Sequence, residues 1–289
     1  MEDLRVRAWN LGKALAWIGA ALLLLDLPWP FLVVVAPESA AAPLVYEGFY
    51  AALALGLSWL ALRLEQRPLK SLGLQLSGRW LRQFGLGTLL GGGIILAAAL
   101  AAGLLTGVRW RPGIPGLATL VSGGCLYFTV AWAEELHYRG YPFQRLCEAF
   151  GPWIAQALFA VYFVHAHWDN PGMIGTTRMW AALNIGLASL LLGYAWQRTG
   201  SLALSLGIHF GWNFVQGPLL GFGVSGTRGA SILKPVLPAG GTWLHGGGFG
   251  LEAGLLCAIS CLMAFILVAR FPCGDGILDG KEQPCHDGS

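Results

Sequence analysis

Apolar residues recur along this chain in runs long enough to cross a bilayer, parted by short polar breaks or by breaks carrying glycine and proline. A helix rises about 1.5 Å per residue, so about 20 apolar residues span the hydrocarbon core. The runs predict spans within residues 9–35, then Leu44–Leu64, Phe84–Thr106, a fourth beginning near Gly116, Trp153–Trp168, Met179–Trp196, Ser201–Leu220 and Gly250–Arg270. The expected fold class is all-α: a polytopic membrane protein of about eight transmembrane helices around an intramembrane polar cavity. One integral membrane domain would cover 1–289, with a motif-bearing core at 117–215 and a polar, flexible tail at 272–289. The first run carries no small-residue cleavage site, so it is expected to stay as a span.

The breaks have their own character. Leu69 to Arg82 is an amphipathic connector suited to a headgroup layer. The third span holds Gly85, Gly87, Gly91, Gly92 and Gly93, small residues that let helices approach closely in lipid. Gly221 to Gly248 is a glycine-rich connector.

Composition agrees. Of 289 residues 55% are hydrophobic and 11% charged, with a mean hydropathy of +0.60, whereas soluble domains carry about 25% charged residues. A net charge of +3 is too small to point to nucleic acid. The six cysteines, at 125, 147, 257, 261, 273 and 285, form no CxxC pair and no disulfide framework. With the N-terminus inside, 13 basic residues fall on the cytoplasmic side and 5 outside, which favours N-in and C-in. The Gly- and Ala-rich composition suggests a bacterial inner (plasma) membrane.

Against this apolar background one stretch stands out, Trp132-Ala133-Glu134-Glu135-Leu136-His137-Tyr138-Arg139-Gly140-Tyr141-Pro142, where two carboxylates arrive at membrane depth. A long helix to about Phe150 and a return helix from about Trp153 would turn at Gly151-Pro152. Glu134 precedes that turn by 17 residues and His167 follows it by 16, so each lies about 24 to 26 Å from it. His209 and Asn213 form an i, i+4 pair after the Thr199-Gly200 turn and project from one helix face. Four distant positions thereby share one layer. Glu135 and Arg139, also i, i+4 with the acid first, are expected to neutralise each other and leave Glu134 without a cation. Each piece alone has a bland reading, since an intramembrane histidine commonly just links helices. Their order and convergence favour function.

Glu134-Glu135-x-x-x-Arg139, Phe163-x-x-x-His167 and His209-x-x-x-Asn213, in that order, resemble the three motifs of the CPBP (Abi) intramembrane proteases, which include the type II CAAX prenyl endopeptidases. The resemblance covers about residues 117 to 215. It implies that Glu134 activates a water with His167, that His209 and Asn213 stabilise the oxyanion, and that Glu135 and Arg139 support them. A second version makes Glu134, His167 and His209 ligands of a divalent metal, possible zinc, that polarises the water. Asn is a poor zinc ligand, which favours the metal-free version. His165, two residues from His167, and His137, in the middle of the first motif, have no assigned role.

The activity expected is an intramembrane endopeptidase cutting a membrane-associated or lipid-anchored peptide near the cytoplasmic face, with membrane lipids around it. The competing class is a non-catalytic transporter or immunity or scaffold protein that uses the polar layer for ligand or proton binding. The absence of an inverted repeat weighs against transport.

Overall fold

The computed structural model describes residues 2–25, 41–114 and 116–271. The last part of the first expected span, from residue 26, and the polar tail from 272 lie outside the described residues. Helices dominate: α1 Glu2–Leu25, α2 Ala42–Leu64, α3 Gly78–Thr106, α4 Leu117–Tyr138, α5 Tyr141–Phe150, α6 Pro152–Ala166, α7 Gly175–Thr199, α8 Leu202–Phe214, the short α9 Thr242–His245 and α10 Leu255–Ala269. A π-helical turn, Val215–Leu219, prolongs α8. The protein is an all-α polytopic membrane protein. Among the described residues five helices are long and apolar enough to cross a bilayer, one of them counted through Leu117–Phe150. Pro152–Ala166 and Leu255–Ala269 are apolar but shorter, so length alone does not reach eight spans.

Two departures from the sequence reading have plain causes. The helix expected to run to Phe150 breaks at Arg139-Gly140. Pro142 brings no N–H to continue the ladder from α4, and it sits in the first turn of the new helix, where that N–H is not needed. A Cβ at Gly140 would also collide with the Leu136 carbonyl, so only glycine fits this corner. The third span starts six residues earlier than expected, because Ser77 caps α3 by accepting a hydrogen bond from the Trp80 N–H at 3.2 Å.

The glycine-rich connector is built rather than loose. Its strand β2, Leu233–Val236, pairs antiparallel with β1, Arg109–Pro112, in the register Arg109 to Val236 and Pro112 to Leu233.

Helix α3 packs along α8 through glycine. A Cβ at Gly91 would strike the Ile208 carbonyl, and one at Gly211 the Thr88 carbonyl. Gly87 and Gly207 meet the facing backbone in the same way, while Gly85 and Gly93 face open space. This backbone-to-backbone seam sets the position of α8, and with it His209 and Asn213.

Candidate active site

A cavity of about 1390 Å³ runs into the bundle, and Glu134, His167, His209 and Asn213 all line it. They reach it from three elements: the last turns of α4, the end of α6 and the second half of α8. The convergence expected from helix depth is present.

The contacts differ in part from those expected. Arg139 and Glu135 pair at 3.1 Å, both 1% exposed. The guanidinium is held further by the Ser189 carbonyl at 2.9 Å and Ser189 Oγ at 3.0 Å on α7. Glu135 also accepts from His209 Nδ1 at 2.9 Å. That bond turns His209 Nε2 toward Glu134 Oε2, 3.6 Å away. Glu134 therefore does have a neighbour that can carry positive charge, and it is His209 rather than His167. Glu134 Oε2 is buried without a hydrogen-bond partner.

Simple donor arithmetic fixes the ring protons. A carbonyl only accepts, so His167 Nδ1, 2.8 Å from the Phe163 carbonyl, is the donor there, which in the neutral ring leaves Nε2 as an acceptor. The carboxylate of Glu135 fixes His209 Nδ1 as a donor in the same manner. The first element of the FxxxH motif thus gives its backbone, with the Phe163 ring packed edge-on against His167 at 4.5 Å.

His137 bonds Tyr162 Oη through Nε2 at 3.0 Å and sits among the rings of Trp17, Tyr50, Tyr138 and Tyr162. It lines the cavity, as does the exposed His165.

Two carboxylates of the cavity wall were missed from sequence, Glu47 on α2 and Glu252 just before α10. Glu252 accepts from Trp212 Nε1 at 3.0 Å and from the Ser225 N–H at 2.6 Å. It ties the connector to the residue beside Asn213. The signal for Glu47 was available: it is the one acid inside the Leu44–Leu64 run, and an intramembrane carboxylate is functional by default.

The lining runs along α4 from Ser122 to Tyr138 and takes in the end of α1, the start of α2, the end of α6, the middle of α7, the second half of α8 with its extension, and the connector from Val224 to Ala230. None of the basic residues at the opposite helix ends, Arg63, Arg67, Lys70, Arg79, Arg82 and Arg198, contributes. At that opposite end the bundle is closed by ion pairs. Lys13 meets Glu65 at 2.9 Å, Arg145 meets Glu65 at 3.2 Å and Glu148 at 2.7 Å, and Arg67 meets Glu148 at 3.3 Å. Burial raises the affinity of Glu65 for a proton, but the Tyr141 hydroxyl, Lys13 and Arg145 outweigh it and hold the carboxyl below its ordinary value.

A catalytic zinc takes at least three protein donors. Glu134 Oε2 and His209 Nε2 are spaced as two ligands of one ion could be, yet among the described residues no group of three or more His, Cys, Asp or Glu side chains is placed to hold a metal.

Fold and site together define a polytopic helical membrane protein with acid, base and amide groups gathered in an intramembrane cavity. Residues 115–215 match the model of a family described as Rce1-like, Type II CAAX prenyl endopeptidase Rce1-like. That stretch contains all three motifs, so the family model supports over those residues the resemblance read from them. No curated protein and no solved structure matches the chain.

Proposed function

We propose that the protein hydrolyses a peptide bond in a membrane-associated or lipid-anchored substrate, with Glu134 as the general base. The observation that carries this is the buried Glu134 oxygen without a hydrogen-bond partner, in a cavity shared with His167, His209 and Asn213. A water between Glu134 and the His167 Nε2 acceptor would give one proton to the carboxylate and hold the other against the ring. His209, when protonated, offers a hydrogen on each nitrogen, one committed to Glu135 and one facing the reaction centre. With the Asn213 amide it would stabilise the oxyanion of the tetrahedral intermediate. Glu135, neutralised by Arg139, fixes the His209 ring as a positioning residue. Asn213 is a poor zinc ligand, which favours the metal-free version over the zinc set Glu134, His167 and His209.

The test is turnover of fluorogenic peptides with and without a lipid anchor by the purified protein, alongside elemental analysis. Glu134→Gln should lower cleavage by about 10²- to 10⁴-fold with expression intact. Undiminished cleavage in that variant overturns the assignment of the base. Stoichiometric zinc, lost in a His167→Ala, His209→Ala double variant, would replace the metal-free version by the metalloprotease one.

The side of entry is also open to test. The ends of α1 and α6 and the start of α2 that line the cavity lie opposite the basic helix ends, which sets an N-in chain against cleavage near the cytoplasmic face. The charge asymmetry favours N-in, and with it substrate entry from the non-cytoplasmic face. In a cysteine-free background, Arg228→Cys should react with a membrane-impermeant maleimide on intact cells and Lys70→Cys only after permeabilisation. The reverse pattern puts the cavity on the cytoplasmic side.

A further inference from the structure

The mechanism above does not assign the group that protonates the leaving amine; Glu134, once protonated, is one candidate, and a separate acid is the other. The attacking water gives its proton to Glu134, while the departing amine must gain one as the C–N bond breaks. The cavity holds a second carboxylate at the right level.

Helices α2 and α4 pack together and, with two reversals between them, run in the same direction. The Tyr50 ring of α2 lies edge-on to the His137 ring of α4 with centroids 5.6 Å apart, which fixes their stagger. Glu47 precedes Tyr50 by three residues and Glu134 precedes His137 by three. Stepping back one helical turn on each helix moves both about 4.5 Å along the axis in the same sense. Glu47 and Glu134 therefore stand at one level, and both line the cavity with His209 and Asn213. The charges of Glu134 and His209 act on Glu47 across it. Among the described residues Glu47 makes no hydrogen bond or ion pair, unlike Glu65 and Glu252, which are occupied by structural partners. An uncommitted carboxylate on an otherwise apolar membrane helix needs a reason.

We propose that Glu47 is the general acid of the hydrolysis, donating a proton to the leaving amine; this rests on the endopeptidase reading given above. The water oxygen bonds to the carbonyl carbon as Glu134 takes its proton. The oxyanion then collapses, the C–N bond breaks, and the nitrogen electron pair takes the proton of Glu47. The products are a carboxylic acid and an amine. Glu134 then returns its proton to Glu47 through water in the cavity, so one water is added across the bond and both carboxyls are reset. Two carboxyls in one site, one ionised and one protonated, divide the base and acid roles.

The test compares a peptide substrate with its ester analogue, because an alcohol leaves with far less need of a proton than an amine does. Glu47→Gln should lower peptide cleavage by about 10²- to 10⁴-fold and leave ester cleavage near the wild-type rate. Glu47→Asp, which keeps an acid, should recover part of the peptide cleavage and controls for folding. Glu134→Gln should lose both substrates, since both need activated water. Equal loss on peptide and ester in Glu47→Gln, or full retention of peptide cleavage, overturns the role of Glu47 while the base assignment stands. A wild type inert toward both substrates removes the endopeptidase reading and this role with it.

Discussion

Glu65 and Glu134 are both carboxylates near the ends of apolar helices, and they do opposite things. Glu65 has both oxygens occupied, Oε1 by Lys13 and the Tyr141 hydroxyl and Oε2 by Arg145. Its cluster seals the bundle at the basic ends of the helices. Glu134 has one oxygen bare of hydrogen bonds and a histidine 3.6 Å away, beyond hydrogen-bond length. The first arrangement is satisfied and rigid. The second is poised, because an unpaired buried acceptor gains most when a water or substrate proton arrives. Chemical identity is the same at the two sites, and the partners decide which is structural and which is reactive.

The contrast can be broken hardest at the support beneath the site. Arg139→Ala leaves Glu135 buried without its cation and should cost about 3–5 kcal/mol, read as a large fall in thermal stability in detergent together with loss of cleavage. Unchanged stability would show that His209 alone can hold the Glu135 charge.

The sealing cluster should respond to acid. The Glu65 carboxyl sits below its ordinary value in the folded protein, so its contribution is fully present above the unfolded-state value and fades as pH falls through the folded one. Thermal stability should therefore drop on the acid side below the usual carboxylate range, and Glu65→Gln should flatten that drop while lowering stability near neutrality. An acid limb identical in wild type and variant would assign the loss to other groups.

The smallest expected effect sharpens the comparison from the other side. Glu134→Gln removes a group whose Oε2 makes no hydrogen bond, so its melting temperature should match or slightly exceed that of the wild type. A marked loss would make Glu134 a structural residue like Glu65.

Much of this was legible along the chain because it depends on local periodicity. Apolar runs of span length, the i, i+4 pair of Glu135 and Arg139, and the shared face of His209 and Asn213 follow from 3.6 residues per turn alone. The shared depth of Glu134 and His167 survived even though the helix between Glu134 and the turn is broken at Gly140, since the break re-aims α5 without removing both from the cavity.

What depends on how separate helices slide and face one another was decided only in three dimensions. Glu135 takes His209 as well as Arg139, and Glu134 faces His209 before His167, because the glycine seam between α3 and α8 brings α8 close at one particular register. Glu47 stands level with Glu134 because the Tyr50 and His137 rings set the stagger of α2 on α4. Glu252 joins the wall because Trp212 and Ser225 hold it there. Periodicity tells which residues share a face of one helix. The offset between two helices is set by side-chain packing far apart in sequence, and no pattern within either helix records it.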